Sequence, residues 1–190
     1  MNNNILEMWH HFLKEIELAK NYHRLSQLGG IITPRNPLLE YLLPSLFIIK
    51  LMAILEDAFA QFISENGLSL QTNHRPSLSS RINCMNNKGK LVDYKALDKL
   101  RVTRNRLAHE TVTQVGWDEL ENALDIVEIE LQNLMFVGER PIYEFFAERS
   151  GAQASDEPNV LALFHYKYGI KSDNRVMMEI SYIEKLYRDE

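Results

Sequence analysis

Apolar residues recur near the start of the chain at the three- and four-residue spacing of one helical face. The members of this face are Ile5, Trp9, Phe12, Ile16 and Ala19. A glycine pair, Gly29-Gly30, follows, and glycine commonly ends a helix. The pattern predicts a first helix from Asn4 to Leu28.

A second and more apolar helix is predicted from Pro37 to Asn66. Its apolar positions cover much of the circumference, which is typical of a central bundle helix: Leu46, Phe47, Ile49, Leu51, Ile54, Leu55, Phe59 and Phe62. Pro44 either kinks this helix or marks its true start, because proline lacks a backbone N–H donor. Lys50 and Glu56 interrupt the apolar stretch, so we interpret it as a buried helix and expect no association with a membrane.

Two further helices are predicted after a polar connection. Residues 68–89 are rich in Asn and Ser, which indicates a loop with a short helix near Ser79. A third helix is predicted from Val92 to His109, and a fourth begins near Trp117 and ends before Gly138. The fourth helix has an apolar stripe at helical spacing: Leu120, Leu124, Val127, Leu131 and Leu134.

The chain changes character after the fourth helix. Residues 151–158 resemble a linker, and the segments 161–170 and 175–187 are rich in aromatic and β-branched residues around a turn at 171–174. They predict a β-hairpin, with a final helix from Met178 as the alternative. The whole pattern predicts an all-α fold: an antiparallel bundle of four to five helices over residues 1–137, with a small C-terminal extension over residues 138–190.

The charge of the chain is unevenly distributed. The formal net charge is −5, but residues 71–109 contain nine basic and two acidic residues, a net charge of +7, which leaves −12 for the rest. Such a basic block is expected for a phosphate-rich ligand. The alternative is a solvated basic segment that pairs with acidic neighbours.

Few features point to other classes of protein. Cys84 is the single cysteine, and the start of the chain lacks the basic and apolar segments of a secretory signal, so we expect a cytoplasmic protein. His10 and His11 are adjacent and so point about 100° apart on a helix, which does not favour a metal site. We expect no metal and no cofactor.

The third helix has charged residues beside its apolar face. Leu97, Leu100 and Leu107 fall within about 80° of arc on an ideal helix, and Arg104 falls inside the same arc. A charge there is costly unless it is paired or faces a groove or a partner. Asn105 and His109 lie on the adjoining flank, about one turn apart, with Arg101 between Arg104 and Asn105.

These residue types suit RNA cleavage. The ribose 2′-hydroxyl can attack the neighbouring phosphate once a base removes its proton, and histidine exchanges protons near neutral pH. Arginine provides a fixed fork of donors for the charge that builds on the phosphate oxygens. The alternatives are a histidine that caps the helix C-terminus and arginines on a solvated face.

The string Arg104-Asn105-Arg106-Leu107-Ala108-His109 resembles the R-N-x-x-x-H form of the Arg-x(4–6)-His signature of the HEPN superfamily. The resemblance covers this motif and the helix order over residues 4–137. It implies a small all-α bundle that dimerises so that two motifs meet in one active site at the interface. Many members are metal-independent endoribonucleases of toxin–antitoxin or antiviral defence systems, so an antitoxin or a defence partner protein is expected.

Carried over by position, the resemblance makes Arg104, Asn105 and His109 the catalytic residues. Arg104 would stabilise the phosphate, Asn105 would position the histidine or a phosphate, and His109 would transfer the proton. Charge and proximity add Arg101, Arg106 and Lys99 as RNA-binding residues.

One departure from the family concerns silencing by an antitoxin. Some toxins have a modified tyrosine two residues after the histidine, where this chain has Thr111. Two rival interpretations stay open. The bundle is a non-catalytic dimerisation or adaptor module that binds RNA, nucleotide or protein, or it is purely structural, with Arg104 paired to an acid such as Glu56 or Asp57.

Overall fold

A computed structural model describes residues 4–28, 38–70, 76–110, 113–141, 144–150, 160–171 and 179–187. The chain divides into two compact units, residues 1–140 and residues 141–190. The change in sequence character predicts this division after residue 137. Several positions named in the sequence predictions lie outside the described residues: Gly29, Gly30, Thr111, and the segments 151–158 and 172–174.

The first unit is helical, which confirms the predicted fold class. Its α-helices are α1 (Asn4–Leu28), α2 (Leu43–Glu65), α3 (Leu78–Asn87), α4 (Tyr94–His109) and α5 (Trp117–Asn133). The bounds of α1 are those predicted, and α3 is the short helix expected near Ser79. Among the described residues, no helix is both long and apolar enough to cross a bilayer.

A π-helical turn, Leu38–Leu42, leads directly into α2. Pro44 therefore marks the start of the regular α-helix, which is one of the two outcomes expected for it. Because Pro44 has no N–H to donate, the regular ladder of hydrogen bonds cannot pass through it. The buried Ser45 hydroxyl restores one bond, since it donates to the Tyr41 carbonyl oxygen at 2.6 Å.

The core of the helical unit is formed by the apolar faces that the periodicity predicts. On α1, Ile5, Trp9, Phe12 and Ile16 are buried. Every member of the predicted α5 stripe is buried as well: Leu120, Leu124, Val127, Leu131 and Leu134. Leu46 differs from expectation, because 51% of it is exposed at the start of α2.

Three helices end in the same hydrogen-bond pattern. After α2 and α3, the N–H groups of Leu68 and Lys90 each donate to the carbonyl five residues earlier, and Gly67 and Gly89 hold the left-handed conformation that this ending requires. After α5, Phe136 donates to the Leu131 carbonyl in the same way. The left-handed position there is Met135, with φ of 62°, where glycine would be unstrained.

The second unit contains a three-stranded antiparallel sheet in its described part, with the order β1-β2-β3: β1 (Glu144–Ser150), β2 (Val160–Lys171) and β3 (Glu179–Tyr187). Strands β2 and β3 form the predicted hairpin, with Gly169 opposite Glu179. The alternative helix from Met178 is wrong. Strand β1 was not predicted, and it pairs with β2 from Glu144 opposite Lys171 onwards.

Candidate active site on helix α4

The start of α4 is held by side chains from two helices. Asp93 is the N-cap residue, and its carboxylate accepts a hydrogen bond from the Ala96 N–H at 3.0 Å. The Glu130 carboxylate of α5 is 1% exposed and accepts from the N–H groups of Val92 and Asp93 at 2.9 to 3.1 Å. Because Glu130 lies late in α5, α4 and α5 run antiparallel, and the beginning of α4 is fixed.

The C-terminal end of α4 is held by hydrogen bonds of Glu110. The Glu110 N–H donates to the Arg106 carbonyl at 2.7 Å, and the Glu110 carboxylate accepts from Thr113 Oγ1 at 2.6 Å and from Arg106 Nε at 3.1 Å. The hydrogen bonds from Thr113 and then Arg106 lower the pKa of Glu110. Further along, the Val115 N–H donates to Ser45 Oγ at 3.2 Å, which ties this connection to the start of α2.

Arg104 lies on the inward arc of α4, as the helical wheel predicts. Leu97 and Leu100 on the same arc are buried, and Arg104 itself is half-buried. Its Nε is buried and has no hydrogen-bond partner, while its Nη1 donates to Asn105 Oδ1 at 3.2 Å. Of the three predicted catalytic residues, Arg104 and Asn105 therefore have side chains in contact.

No carboxylate among the described residues pairs with Arg104. Glu56, proposed above as its structural partner, instead forms an ion pair with Arg81 of α3. Asp57, the other acid considered, is exposed on α2. Among the described residues, the partner of the half-buried Arg104 guanidinium is the Asn105 amide oxygen.

His109 is the last residue of α4 and is exposed. The helix continues regularly to His109, so its side chain leaves the axis about 140° away from that of Arg104. Within a single chain the two side chains therefore point in different directions. Ala108 lies only about 40° from Arg104 on the wheel and is also exposed, so this end of the helix is left uncovered beyond the guanidinium.

The three expected RNA-binding residues occupy two faces of α4, because Lys99 and Arg106 are about 20° apart on the wheel and Arg101 lies on another side. Arg101 is near Arg104 on the wheel, but its Nε donates to Asp98 at 2.8 Å. Arg106 is bound to Glu110, and Lys99 is exposed. Lys99 and Arg106 leave the axis about 140° to 160° from Arg104, so they do not share its face.

Two buried polar residues that position the motif were not predicted from the sequence. Glu130 fixes one end of α4, and Ser45 fixes the connection that follows its other end. Glu130 gave little signal, because on an ideal helix it lies about 40° outside the apolar stripe of α5, as Glu128 does on the other side. Ser45 gave no signal, since its partner Val115 is seventy residues away.

A search of the described residues for three or more His, Cys, Asp or Glu side chains able to hold a metal ion found no such group. Comparisons of the chain with protein-family models, with curated proteins and with solved structures found no match.

Proposed function

We propose that this protein is a metal-independent endoribonuclease of the HEPN type, acting as a homodimer in a toxin or antiviral-defence role. The observation that carries the proposal is the state of Arg104. Its guanidinium is half-buried, lacks a carboxylate partner among the described residues, and contacts the next residue of the motif, Asn105. A purely structural arginine in such a position would be expected to pair with an acid.

The proposed reaction is a transesterification within the RNA strand. The His109 imidazole removes the proton of a ribose 2′-hydroxyl, and the 2′-oxygen forms a bond to the adjacent phosphorus. The bond from phosphorus to the 5′-oxygen breaks, and the 5′-oxygen takes up the proton that the His109 imidazolium gives back. Arg104 stabilises the charge on the phosphate oxygens, and Asn105 orients the guanidinium through the bond already present. The products are a 2′,3′-cyclic phosphate and a 5′-hydroxyl.

A second protomer would supply the missing half of each site. Arg104 and His109 diverge within one protomer, so the proposal pairs Arg104 of one copy with His109 of the other. Three exposed apolar side chains, Tyr41, Leu42 and Leu46, offer a contact surface at the start of α2. The Ser45 to Val115 hydrogen bond links this region to the connection that follows α4, which supports a dimer contact near the motif.

The test is cleavage of mixed cellular RNA in the presence of EDTA. We expect the parent to cleave and both Arg104→Ala and His109→Ala to lose at least about 100-fold in rate, as is usual when proton transfer or oxyanion stabilisation is removed. Arg104→Lys, which keeps the charge but not the fork of donors, should also be impaired. His11→Ala, which removes another exposed histidine, is the matched control and should cleave normally.

The substrate provides a second control. An oligonucleotide with 2′-deoxyribose at every position should resist cleavage, because it lacks the attacking hydroxyl. If His109→Ala cleaves as fast as the parent, the catalytic assignment is wrong. If the parent does not cleave under any of these conditions, the alternative is favoured: a non-catalytic dimerisation or adaptor module that binds RNA, nucleotide or protein, consistent with the separation of Arg104 from His109 in a single protomer.

A further inference from the structure

The basic side chains of the helical unit differ in whether an acid compensates them. Cations with a carboxylate partner occur on α1, α2 and α3 and after α5: Lys20, Lys50, Arg81 and Arg140. Among the described residues of the helical unit, four lysines have no carboxylate partner: Lys88, Lys90, Lys95 and Lys99. All four are exposed, and they lie on α4 or in the turn that leads into it.

Two of these lysines form a row with Arg106 on the outer side of α4. Lys95, Lys99 and Arg106 fall within about 40° of arc and extend over about 16 Å of the helix axis. Val102 lies in the same row, and all four side chains are exposed. We call these four residues the outer face of α4. It is the side of the helix opposite the buried Leu97.

We infer that the outer face of α4 binds the phosphate backbone of single-stranded RNA and guides the strand towards His109. His109 is exposed at the C-terminal end of the row, about 60° from Arg106 on the wheel. The uncompensated lysines Lys88 and Lys90 precede the row in the chain, in the connection between α3 and α4. The identity of the ligand rests on the function proposed above.

The form of the outer face favours one strand over a duplex. A single straight row of cations follows one phosphate backbone, whereas a duplex presents two backbones across a groove. Val102 interrupts the cations with an apolar surface that can contact a base or a ribose, as single-strand binding sites commonly combine charge with apolar contacts. Lysines that form no ion pair can bind phosphates without first losing a carboxylate partner.

Arg106 is the restrained member of the row. Its Nε donates to Glu110, and Thr113 donates to the same carboxylate oxygen. Glu110 therefore offsets one positive charge of the outer face. Removing that negative charge should increase the affinity for RNA, whereas removing the lysines should reduce it.

The experiment measures fluorescence anisotropy of a labelled oligouridine of about 12 nucleotides, a length within the usual site sizes for single strands. The full chain is used with His109→Ala as background, so that the RNA is not consumed. Lys95→Ala with Lys99→Ala should weaken binding about tenfold and lower the slope of log affinity against log salt by about 1.4, since each phosphate contact on a single strand contributes about 0.7.

Three further variants make the result specific. Lys14→Ala with Lys50→Ala removes the same charge from α1 and α2 and should change the affinity less than about twofold, as expected for residues that contact no phosphate. Lys95→Arg with Lys99→Arg should bind like the background protein. Glu110→Gln should bind several-fold more tightly, because it removes the negative charge that offsets Arg106.

The inference is overturned if the control pair weakens binding as much as the outer-face pair, if the outer-face pair leaves binding unchanged, or if a duplex binds as tightly as the single strand. Failure of the proposed function is distinguishable from these outcomes. Loss of affinity in the outer-face pair, together with no cleavage by the parent, would retain the RNA surface and reject the nuclease. Cleavage by the parent with an unchanged affinity in the outer-face pair would reject the RNA surface alone.

Discussion

Arg104 occupies a position that is costly for folding and useful for chemistry. Its Nε is buried without a hydrogen-bond partner, and no carboxylate among the described residues compensates its charge. Desolvating a cation without full pairing is unfavourable, and replacing such groups with apolar residues of similar volume is often neutral or stabilising. The residue that we assign to catalysis should therefore be one that folding does not need.

We expect Arg104→Met to raise the free energy of unfolding by about 1 kcal/mol, because it removes a desolvated charge and keeps the packing volume. Urea denaturation of the full chain measures this value. Arg81→Met is the matched control, since it leaves Glu56 without its ion-pair partner and should lower the free energy of unfolding by about 1 to 3 kcal/mol. An equal loss of stability in both variants would show that Arg104 has a structural role.

The inward position of Arg104 could be predicted from the sequence, because it depends only on the spacing of Leu97, Leu100 and Leu107 along one helix. The lack of an acidic partner for Arg104 could not be predicted. Whether Glu56 pairs with Arg104 or with Arg81 depends on how α2, α3 and α4 pack, and periodicity along one segment does not contain that information. The separation of Arg104 from His109 was visible on the wheel and is retained in α4.

At the scale of the elements, the endings of α2, α3 and α5 differ in one residue. Gly67 and Gly89 occupy the left-handed position after two helices, and Met135 occupies it after α5. A side chain with a Cβ is disfavoured by about 1 to 2 kcal/mol in that conformation. Met135 is also 75% exposed, so little packing offsets the strain.

Met135→Gly should accordingly raise the free energy of unfolding by about 1 kcal/mol, measured by urea or thermal denaturation. The converse variant is Gly89→Ala at the equivalent position after α3. A Cβ at Gly89 would meet no atom within 4 Å, so any destabilisation reports the backbone conformation alone. If Met135→Gly destabilised the protein, the contacts of the methionine side chain would outweigh its strain.

The predictability of each element follows from the strength of its local signal. Helix α1 has a regular apolar face, and its bounds were predicted correctly. Helix α3 was located only approximately, because its capping box uses Ser77 with Ser80 in place of the more recognisable Glu or Gln. The π-helical turn before Pro44 was not predicted, and strand β1 was missed because its partner strand lies beyond a long connection.

At the scale of the whole molecule, the divergence of Arg104 and His109 makes the number of chains in each active site testable. In a symmetric dimer with composite sites, a chain carrying Arg104→Ala and a chain carrying His109→Ala together form one intact site and one site lacking both groups. Mixing the two inactive variants in equal amounts should restore about a quarter of the parental cleavage rate, because about half of the dimers are mixed and each has one working site.

The control for this experiment is the double variant, Arg104→Ala with His109→Ala in the same chain, mixed with either single variant. No combination then contains an intact site, so no activity should return. Recovery of cleavage activity in the control mixture would contradict a site shared between protomers. So would the absence of activity in the test mixture when mixed dimers are shown to form.

The segregation of charge described above has a consequence for selectivity. Helix α5 has six acidic and no basic residues, and the chain outside residues 71–109 has a net charge of −12. Such surfaces repel a polyanion, whereas the uncompensated lysines of α4 would attract one. If the proposed RNA surface exists, the acidic remainder of the chain should act against nonproductive complexes, and a bound strand should lie along α4 towards the end where His109 is located.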